Sequence, residues 1–128
     1  PKVLLINKYS ASDGDLFPWS FKANKIGKVI GTRTWGGIIG ISGPLPYMDG
    51  TDVRVPFFTN YDAKTGQWIV ENHGVDPDIL IDNDPVKEQS GEDQQVNKAI
   101  EVILQELKDR KPLPSVPAPR TYKDLGVE

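Results

Sequence analysis

The chain has 128 residues, 38% of them hydrophobic and 26% charged, a composition typical of one globular domain with a buried core. Its formal net charge of -3 argues against a nucleic-acid partner, and the absence of cysteine excludes disulfides and thiolate metal sites. No apolar run reaches the roughly 18 residues that cross a bilayer, so we expect no membrane partner and a cytoplasmic location.

The first predicted element is a strand at residues 3–6, with the sequence VLLI. A continuous apolar strand is usually covered on both faces and paired on both edges, which predicts a place inside a parallel sheet. The chain nevertheless starts at Pro1, and its only methionine is Met48. We therefore expect an incomplete domain that continues upstream of Pro1, the alternative being a trimmed but complete domain.

The next segments predict a helix and a second strand. After a polar turn at 8–15, a short helix is expected at 16–24, ended by Gly27. Its regular part should begin close to Pro18, because proline does not fit deep inside a helix. A strand is expected at 28–31, and the glycine-rich sequence GTRTWGGIIGISG that follows predicts a loop or a distorted strand.

The middle of the chain predicts a hairpin and a further strand. The hairpin comprises strands at 53–59 and 68–71 around the turn sequence NYDAKTGQ. Pro56 lies within the first of them and marks it as an edge strand or a bulge, because proline donates no ladder hydrogen bond. Another short strand is expected at 78–81.

The clearest helix is predicted by five apolar residues that share one face: Val96, Ala99, Ile100, Ile103 and Leu107. Ser90 and Asp93 supply capping signals before it. Four prolines between positions 112 and 119 then predict an extended tail that wraps a neighbouring subunit or stays mobile. We therefore expect one structured unit at 1–111 and a proline-rich tail at 112–128.

The turn NKYSASDGD between the first strand and the first helix has two chemical interpretations. Serine and aspartate at a helix start are most often caps that accept an N–H hydrogen bond. A serine there can also be a nucleophile, because the unpaired first N–H groups of the helix stabilise an oxyanion, provided that a base removes the hydroxyl proton. Gly14 permits the tight backbone that the second role requires. Local spacing alone favours the cap.

Three motifs together change this balance: SASDGD, GTRTWGG and WIVENHGVDPDI, in this order. With QQVNKAIEVIL they resemble, over residues 2–110, the catalytic core of the C-terminal processing peptidases, and most of all the tricorn protease branch. The resemblance implies an α/β fold with a crotonase- or Clp-protease-like spiral core, in which helices flank a mixed sheet. It also implies a serine peptidase that cleaves peptides, needs no cofactor or metal, and works as a cytoplasmic homo-oligomer.

The resemblance also assigns roles to three residues. Ser12 matches the nucleophile, and the backbone N–H of Asp13 is then one oxyanion donor. Glu71 matches the acid that acts through a second serine to orient the catalytic histidine. In the family that Ser–His pair lies upstream, so we expect this chain alone to be inactive without the missing N-terminal part of the same protein. His73, the only histidine here, is expected to be a loop or surface residue, with a role as base as the alternative.

Other interpretations of the sequence are weaker. The same fold family includes non-catalytic modules that bind small apolar ligands, so a ligand-binding or assembly module is the alternative function. Gly37 stands where lysine-type processing peptidases carry their base, which disfavours a Ser–Lys dyad. The acidic turns lack the ligand spacing of a calcium loop, and no phosphate-binding loop is present. Trp19, Trp35 and Trp68 are expected to be core or interface anchors.

Overall fold

Two short β-sheets and three α-helices form the regular structure of the described residues, 1–43 and 46–126 of a computed structural model. In chain order the elements are β1 (Val3–Ile6), α1 (Asp13–Ala23), β2 (Lys28–Gly31), β3 (Gly40–Ser42), β4 (Val55–Phe58), β5 (Ile79–Leu80), α2 (Pro85–Gln89), α3 (Gln94–Lys108) and a final 3₁₀ turn (Lys123–Leu125). The α/β class predicted from the sequence is confirmed.

The larger sheet has the strand order β1–β2–β5 and is parallel throughout. Leu4 pairs with Val29 and Leu5 with Ile30, so successive side chains alternate between the two faces of the sheet. β1 and β2 have the bounds predicted from their sequences, because short unbroken apolar runs favour buried parallel strands. The antiparallel pair β3–β4 forms a separate sheet, so both strand orientations occur in the fold.

The hydrophobic core lies against the parallel sheet. Ile6, Phe21 and Val29 form a buried cluster, and Leu4 packs against it. Phe21 comes from α1, which therefore covers the face of the sheet that carries Leu4, Ile6 and Val29. Helix α3 contacts both β1 and β2, and its buried residue is Ala99. The sheet thereby fixes the point at which β1 ends and the serine turn begins.

A substitution at Ile30, in the middle of β2, measures how much the burial of this strand contributes to the free energy of unfolding. Its side chain is fully buried, so Ile30→Ala should lower the free energy of unfolding by about 2–5 kcal/mol through lost burial and a residual cavity. Faster hydrogen–deuterium exchange of the β2 amides in the full-length protein would measure this loss. Leu80→Ala is the matched control, since Leu80 lies on the neighbouring strand with 74% of its surface exposed, and should change little.

Helix α1 begins at Asp13, earlier than predicted, and Pro18 lies inside it. The predicted start near Pro18 is wrong, because the first turn of the helix forms before the proline. Ser12 occupies the N-cap position, and two acidic residues in the first turn, Asp13 and Asp15, complement the helix dipole. These features start the helix before the proline, whose ring is fully compatible with a helical φ.

The second sheet bears out the edge or bulge predicted at Pro56. Pro56 pairs with Ile41, and the register shifts between Gly40 and Ile41. The predicted return strand at 68–71 was wrong, because only the bridge between Tyr61 and Trp68 forms there.

The C-terminal third contains one helix that the sequence did not predict. Asp84 caps this helix, α2, through its carboxylate, and Ser90 ends it rather than starting α3. Asp93 caps α3 as predicted, by accepting the N–H of Val96. Residues 110–122 contain no helix or strand and are exposed.

Among the residues described, no helix is both long and apolar enough to span a bilayer. Trp35 and Trp68 are 68% and 73% exposed, so the expectation that they anchor a core does not hold within this chain.

Candidate active site

Ser12 lies where the chain turns from β1 into α1, and it is exposed. Its φ of 57° and ψ of -113° belong to a region that residues with a side chain rarely adopt. Its carbonyl oxygen accepts hydrogen bonds from the N–H groups of Asp15, at 2.8 Å, and Leu16, at 3.0 Å. Backbone strain of this kind costs about 1–3 kcal/mol and concentrates at functional sites.

Ser12 and Asp15 form a capping box, in which the Ser12 hydroxyl faces the N–H of Asp15 and the Asp15 carboxylate accepts the N–H of Ser12. The N–H of Asp15 donates at 2.8 Å to the carbonyl oxygen of Ser12, so the exposed hydroxyl is not held by a capping hydrogen bond of its own. Within residues 1–43 and 46–126, the N–H of Asp13 has no hydrogen-bond acceptor either. The first N–H groups of a helix carry partial positive charge. An exposed hydroxyl thus lies beside a donor able to stabilise the oxygen of an attacked carbonyl.

Asp15 holds this turn, and the sequence analysis did not identify it. The residue is completely buried. Its Oδ2 accepts the N–H of Ser12 at 3.0 Å and that of Gly37 at 3.2 Å, while its Oδ1 accepts the N–H of Gly36 at 2.8 Å. These three hydrogen bonds replace the lost hydration of the carboxylate and hold the backbone of Ser12 in its unusual conformation.

The TWGG loop (residues 34–37) packs against the serine turn through backbone hydrogen bonds. The N–H of Trp35 donates to the carbonyl oxygen of Ser10 at 2.9 Å. The N–H of Ser12 donates to the carbonyl oxygen of Gly37 at 3.2 Å, in addition to its bond with the buried carboxylate. The backbone of the serine is therefore held by a loop that follows it by more than twenty residues.

The other side of the TWGG loop contacts the acid loop, residues 69–75. Thr34 donates its N–H to the carbonyl oxygen of Val75 at 3.2 Å, and its Oγ1 accepts the N–H of Val75 at 2.7 Å. The N–H of Asn72 donates to the carbonyl oxygen of Gly36 at 2.8 Å. The three sequence motifs are thus joined directly by hydrogen bonds.

Two glycines make this close approach possible. Gly36 and Gly74 have φ angles of 85° and 83°, which strongly favour glycine. A Cβ on Gly36 would overlap the backbone nitrogen of Gly74, and one on Gly74 would overlap the carbonyl oxygen of Thr34. The glycines of the two motifs therefore allow the loops to touch backbone to backbone.

Glu71 lies in the acid loop, half-buried, and points its carboxylate at the chain that follows the TWGG loop. Its Oε2 accepts the N–H of Ile38 at 2.7 Å and that of Ile39 at 3.0 Å. Its Oε1 accepts no hydrogen bond from residues 1–43 or 46–126. One oxygen therefore fixes the side chain, and the other is free to accept from a further group.

A single peptide group connects Ser12 with Glu71. The carbonyl oxygen of Gly37 accepts from Ser12, and the N–H of the next residue, Ile38, donates to Glu71. The structure thus brings together three sequence-predicted site residues, since Asp13 directly follows Ser12. The serine and the acid are therefore hydrogen-bonded to opposite edges of the same peptide group.

The backbone around Glu71 is strained as well. Val70 and Asn72, its two neighbours, have φ angles of 66° and 61°. The N–H of Glu71 donates to the carbonyl oxygen of Ile69 at 2.6 Å, which closes a tight turn centred on Val70. A positive φ is rare for a β-branched residue such as valine, and it explains why no strand forms here.

The side chain of His73 is hydrogen-bonded to Asp76 and not to these groups. Its Nε2 lies 2.9 Å from Asp76 Oδ2, and Arg33 Nε lies 2.6 Å from Asp76 Oδ1. The hydrogen bonds from His73 and Arg33 hold the pKa of the Asp76 carboxyl below its usual range. The side chain of His73 is 59% exposed, in agreement with the surface position predicted for it.

Comparison with known proteins identifies the family. Residues 1–81 match the family model described as Peptidase family S41. The chain is 42% identical to the Tricorn protease of Thermoplasma volcanium over 111 residues and 42% identical to that of Thermoplasma acidophilum over 117 residues. These alignments cover 87% and 91% of this chain but 11% of each relative, so the chain spans about a tenth of their length.

Solved structures agree with the sequence comparison. The crystal structure of the tricorn protease superposes with a TM-score of 0.76 at 43% identity, covering 83% of this chain and 10% of that one. The crystal structure of the CPAF S499A mutant superposes with a TM-score of 0.63 at 21% identity, covering 91% and 22%, which supports the fold alone. The processing-peptidase fold predicted from the motifs is confirmed, and the chain belongs to peptidase family S41.

Proposed function

We propose that this chain is the nucleophile-bearing part of a serine endopeptidase of the tricorn type. Ser12 is the nucleophile, the backbone N–H of Asp13 is an oxyanion donor, and Glu71 supports the base. The observation that carries the proposal is the exposed hydroxyl of Ser12 on a strained turn, next to a helix N–H that has no acceptor among the residues the structure describes.

The reaction follows from this arrangement. The Ser12 oxygen forms a bond to the peptide carbonyl carbon while its proton passes to the base. The carbonyl oxygen becomes negative beside the N–H of Asp13, which stabilises it more than it stabilises the neutral carbonyl. Collapse breaks the C–N bond, and the amine leaves with the proton from the base. Water then hydrolyses the acyl-enzyme and restores the hydroxyl.

The base in this proposal is a histidine from the part of the protein that lies outside these 128 residues. Glu71 would accept, through its free Oε1, a hydrogen bond from the second serine that orients this histidine. The support is that Oε2 alone is occupied by backbone N–H groups. The described chain on its own is then inactive, because a serine hydroxyl needs a base to become nucleophilic.

We also propose, from the similarity to tricorn proteases, that the full-length protein cleaves peptides as a cytoplasmic homo-oligomer. The N-terminal remainder of the protein would be the obligatory partner of this chain. No cofactor is part of the proposal, because acyl transfer on serine requires only a base and oxyanion donors.

A fluorophosphonate probe tests the proposal directly, because it reacts with serines that are activated as nucleophiles. The full-length protein should be labelled, and peptide mapping should find the label on Ser12. Absence of labelling in the folded full-length protein would contradict the peptidase and favour the alternative, a ligand-binding or assembly module of the same fold.

The alternative base has its own test. His73→Ala in the full-length protein should leave kcat and KM for peptide hydrolysis within about threefold of the unmodified values, because the imidazole is exposed and bonded to Asp76. Steady-state kinetics on a fluorogenic peptide measure both constants. A loss of kcat as large as that of a nucleophile variant would instead identify His73 as the base.

A further inference from the structure

We propose that Asp15 is a positioning residue for the nucleophile, an inference that rests on the peptidase function proposed above. Its carboxylate fixes the backbone of Ser12 relative to the TWGG loop, and so sets where the serine oxygen and the Asp13 N–H point. The sequence motifs do not indicate this role for Asp15. In SASDGD it is Asp13, not Asp15, that is adjacent to the serine.

Asp15 combines complete burial with three hydrogen bonds. Asp15 has no exposed surface, yet no basic side chain pairs with it among residues 1–43 and 46–126. Its two oxygens instead accept three backbone N–H groups, from Ser12, Gly36 and Gly37. A buried charge is retained only where hydrogen bonds replace its hydration, so three donors aimed at one carboxylate form a built arrangement.

Asp15 also affects which N–H donors of the serine turn remain available to the substrate. The N–H of Ser12 is occupied by two acceptors within the protein: Asp15 Oδ2 and the carbonyl oxygen of Gly37. This N–H is therefore withdrawn from the oxyanion, and the unpaired N–H of Asp13 is left as the donor that the turn supplies. The carboxylate thus selects which amide of the turn can contact the substrate.

The hydrogen bonds of Asp15 go beyond ordinary helix capping. An acidic residue at the third position of a helix commonly accepts the N–H of the N-cap residue, and that bond to Ser12 is present. The other two donors, however, are 21 and 22 residues away in sequence. Asp15 therefore fixes the distance between the serine turn and the loop that leads to Glu71, a task that a local cap does not perform.

Asp15→Asn in the full-length protein is the first test. Asparagine has the same shape but replaces one acceptor oxygen by an NH₂ group, which would oppose one of the three N–H donors. We expect kcat to fall about 100-fold, as for a misplacement of about 1 Å, while KM stays within about threefold. Fluorophosphonate labelling of Ser12 should slow by a similar factor.

Asp78→Asn is the matched control, because Asp78 also accepts a backbone N–H, that of Val29, and lies outside the proposed machinery. It should lower thermal stability without lowering kcat. Unmodified protein that is not labelled would contradict the peptidase itself. Labelled unmodified protein together with an Asp15→Asn variant that reacts at the unmodified rate would overturn only the positioning role.

Two further measurements decide the case if the asparagine variant does not fold. Asp15→Glu keeps the anion but moves it by one methylene, so a folded variant should also lose kcat, and full kcat would overturn the inference. Hydrogen–deuterium exchange of the unmodified protein needs no variant. Slow exchange of the segments around Ser12 and Gly36 is expected, and rapid exchange of both would overturn the inference.

Discussion

Ser12→Ala in the full-length protein should lower kcat for peptide hydrolysis by about 10⁴-fold or more, with little change in folding. The expectation follows from the position of the hydroxyl, which is exposed and lies beside an N–H that has no acceptor within residues 1–43 and 46–126. Removal of the nucleophile eliminates the acyl-enzyme route and leaves only the contribution of binding and oxyanion stabilisation. Kinetics on a fluorogenic peptide and loss of fluorophosphonate labelling measure the effect.

Ser10→Ala provides a matched control within the same turn. The hydroxyl of Ser10 accepts the N–H of Asn7 at 3.1 Å, a structural contact at the end of β1. Its loss should cost at most about 1–3 kcal/mol of stability and should change kcat by less than about fivefold. Equal losses from both serine variants would mean that the turn, and not the Ser12 oxygen, supports activity.

Glu71→Gln should lower kcat by about 10²–10³-fold without disturbing the acid loop. Glutamine retains one oxygen, which can still accept the N–H groups of Ile38 and Ile39 at the place where Glu71 Oε2 accepts them. The free Oε1 would then be replaced by NH₂, a donor where the proposed relay needs an acceptor. The change therefore affects the relay and leaves the packing intact. Steady-state kinetics should show the loss mainly in kcat.

The control for this variant is Glu88→Gln on helix α2, which removes an exposed carboxylate far along the chain and should leave kcat unchanged. Glu71→Ala adds a second comparison, because it also releases the N–H groups of Ile38 and Ile39 and should lower stability as well. Full activity in Glu71→Gln, combined with reduced stability in Glu71→Ala, would show that Glu71 only holds the loop.

The parts of the fold that depend on local sequence were predictable. β1, β2 and α3 follow from short apolar runs and from helical spacing, which act within a few residues. The start of α1 was not, because it depends on the N-cap position of Ser12 and on the acidic first turn, which outweigh the effect of Pro18. The segment 68–71 resembles a strand because isoleucine and valine favour strands, but the local turn closed by the hydrogen bond from Glu71 to Ile69 gives Val70 a positive φ.

Only the site residues that match the motifs of the family were predicted from the sequence. The motifs pointed to Ser12, Asp13 and Glu71, whose roles stay predictions until the variants above are measured. Asp15 was missed, because its partners Gly36 and Gly37 are distant in sequence and nothing in SASDGD shows which aspartate turns inward. The pattern of a glycine pair in one motif and a glycine in the next was the available signal.

The amide plane between Gly37 and Ile38 has a consequence for the design of chimeric enzymes. Its oxygen contacts the serine turn and its N–H contacts the acid, so a rotation of this one unit would disturb both partners at once. Exchange of the TWGG segment for that of a distant relative would therefore change the positions of Ser12 and Glu71 together. Successful transplants should carry all three motifs as one block.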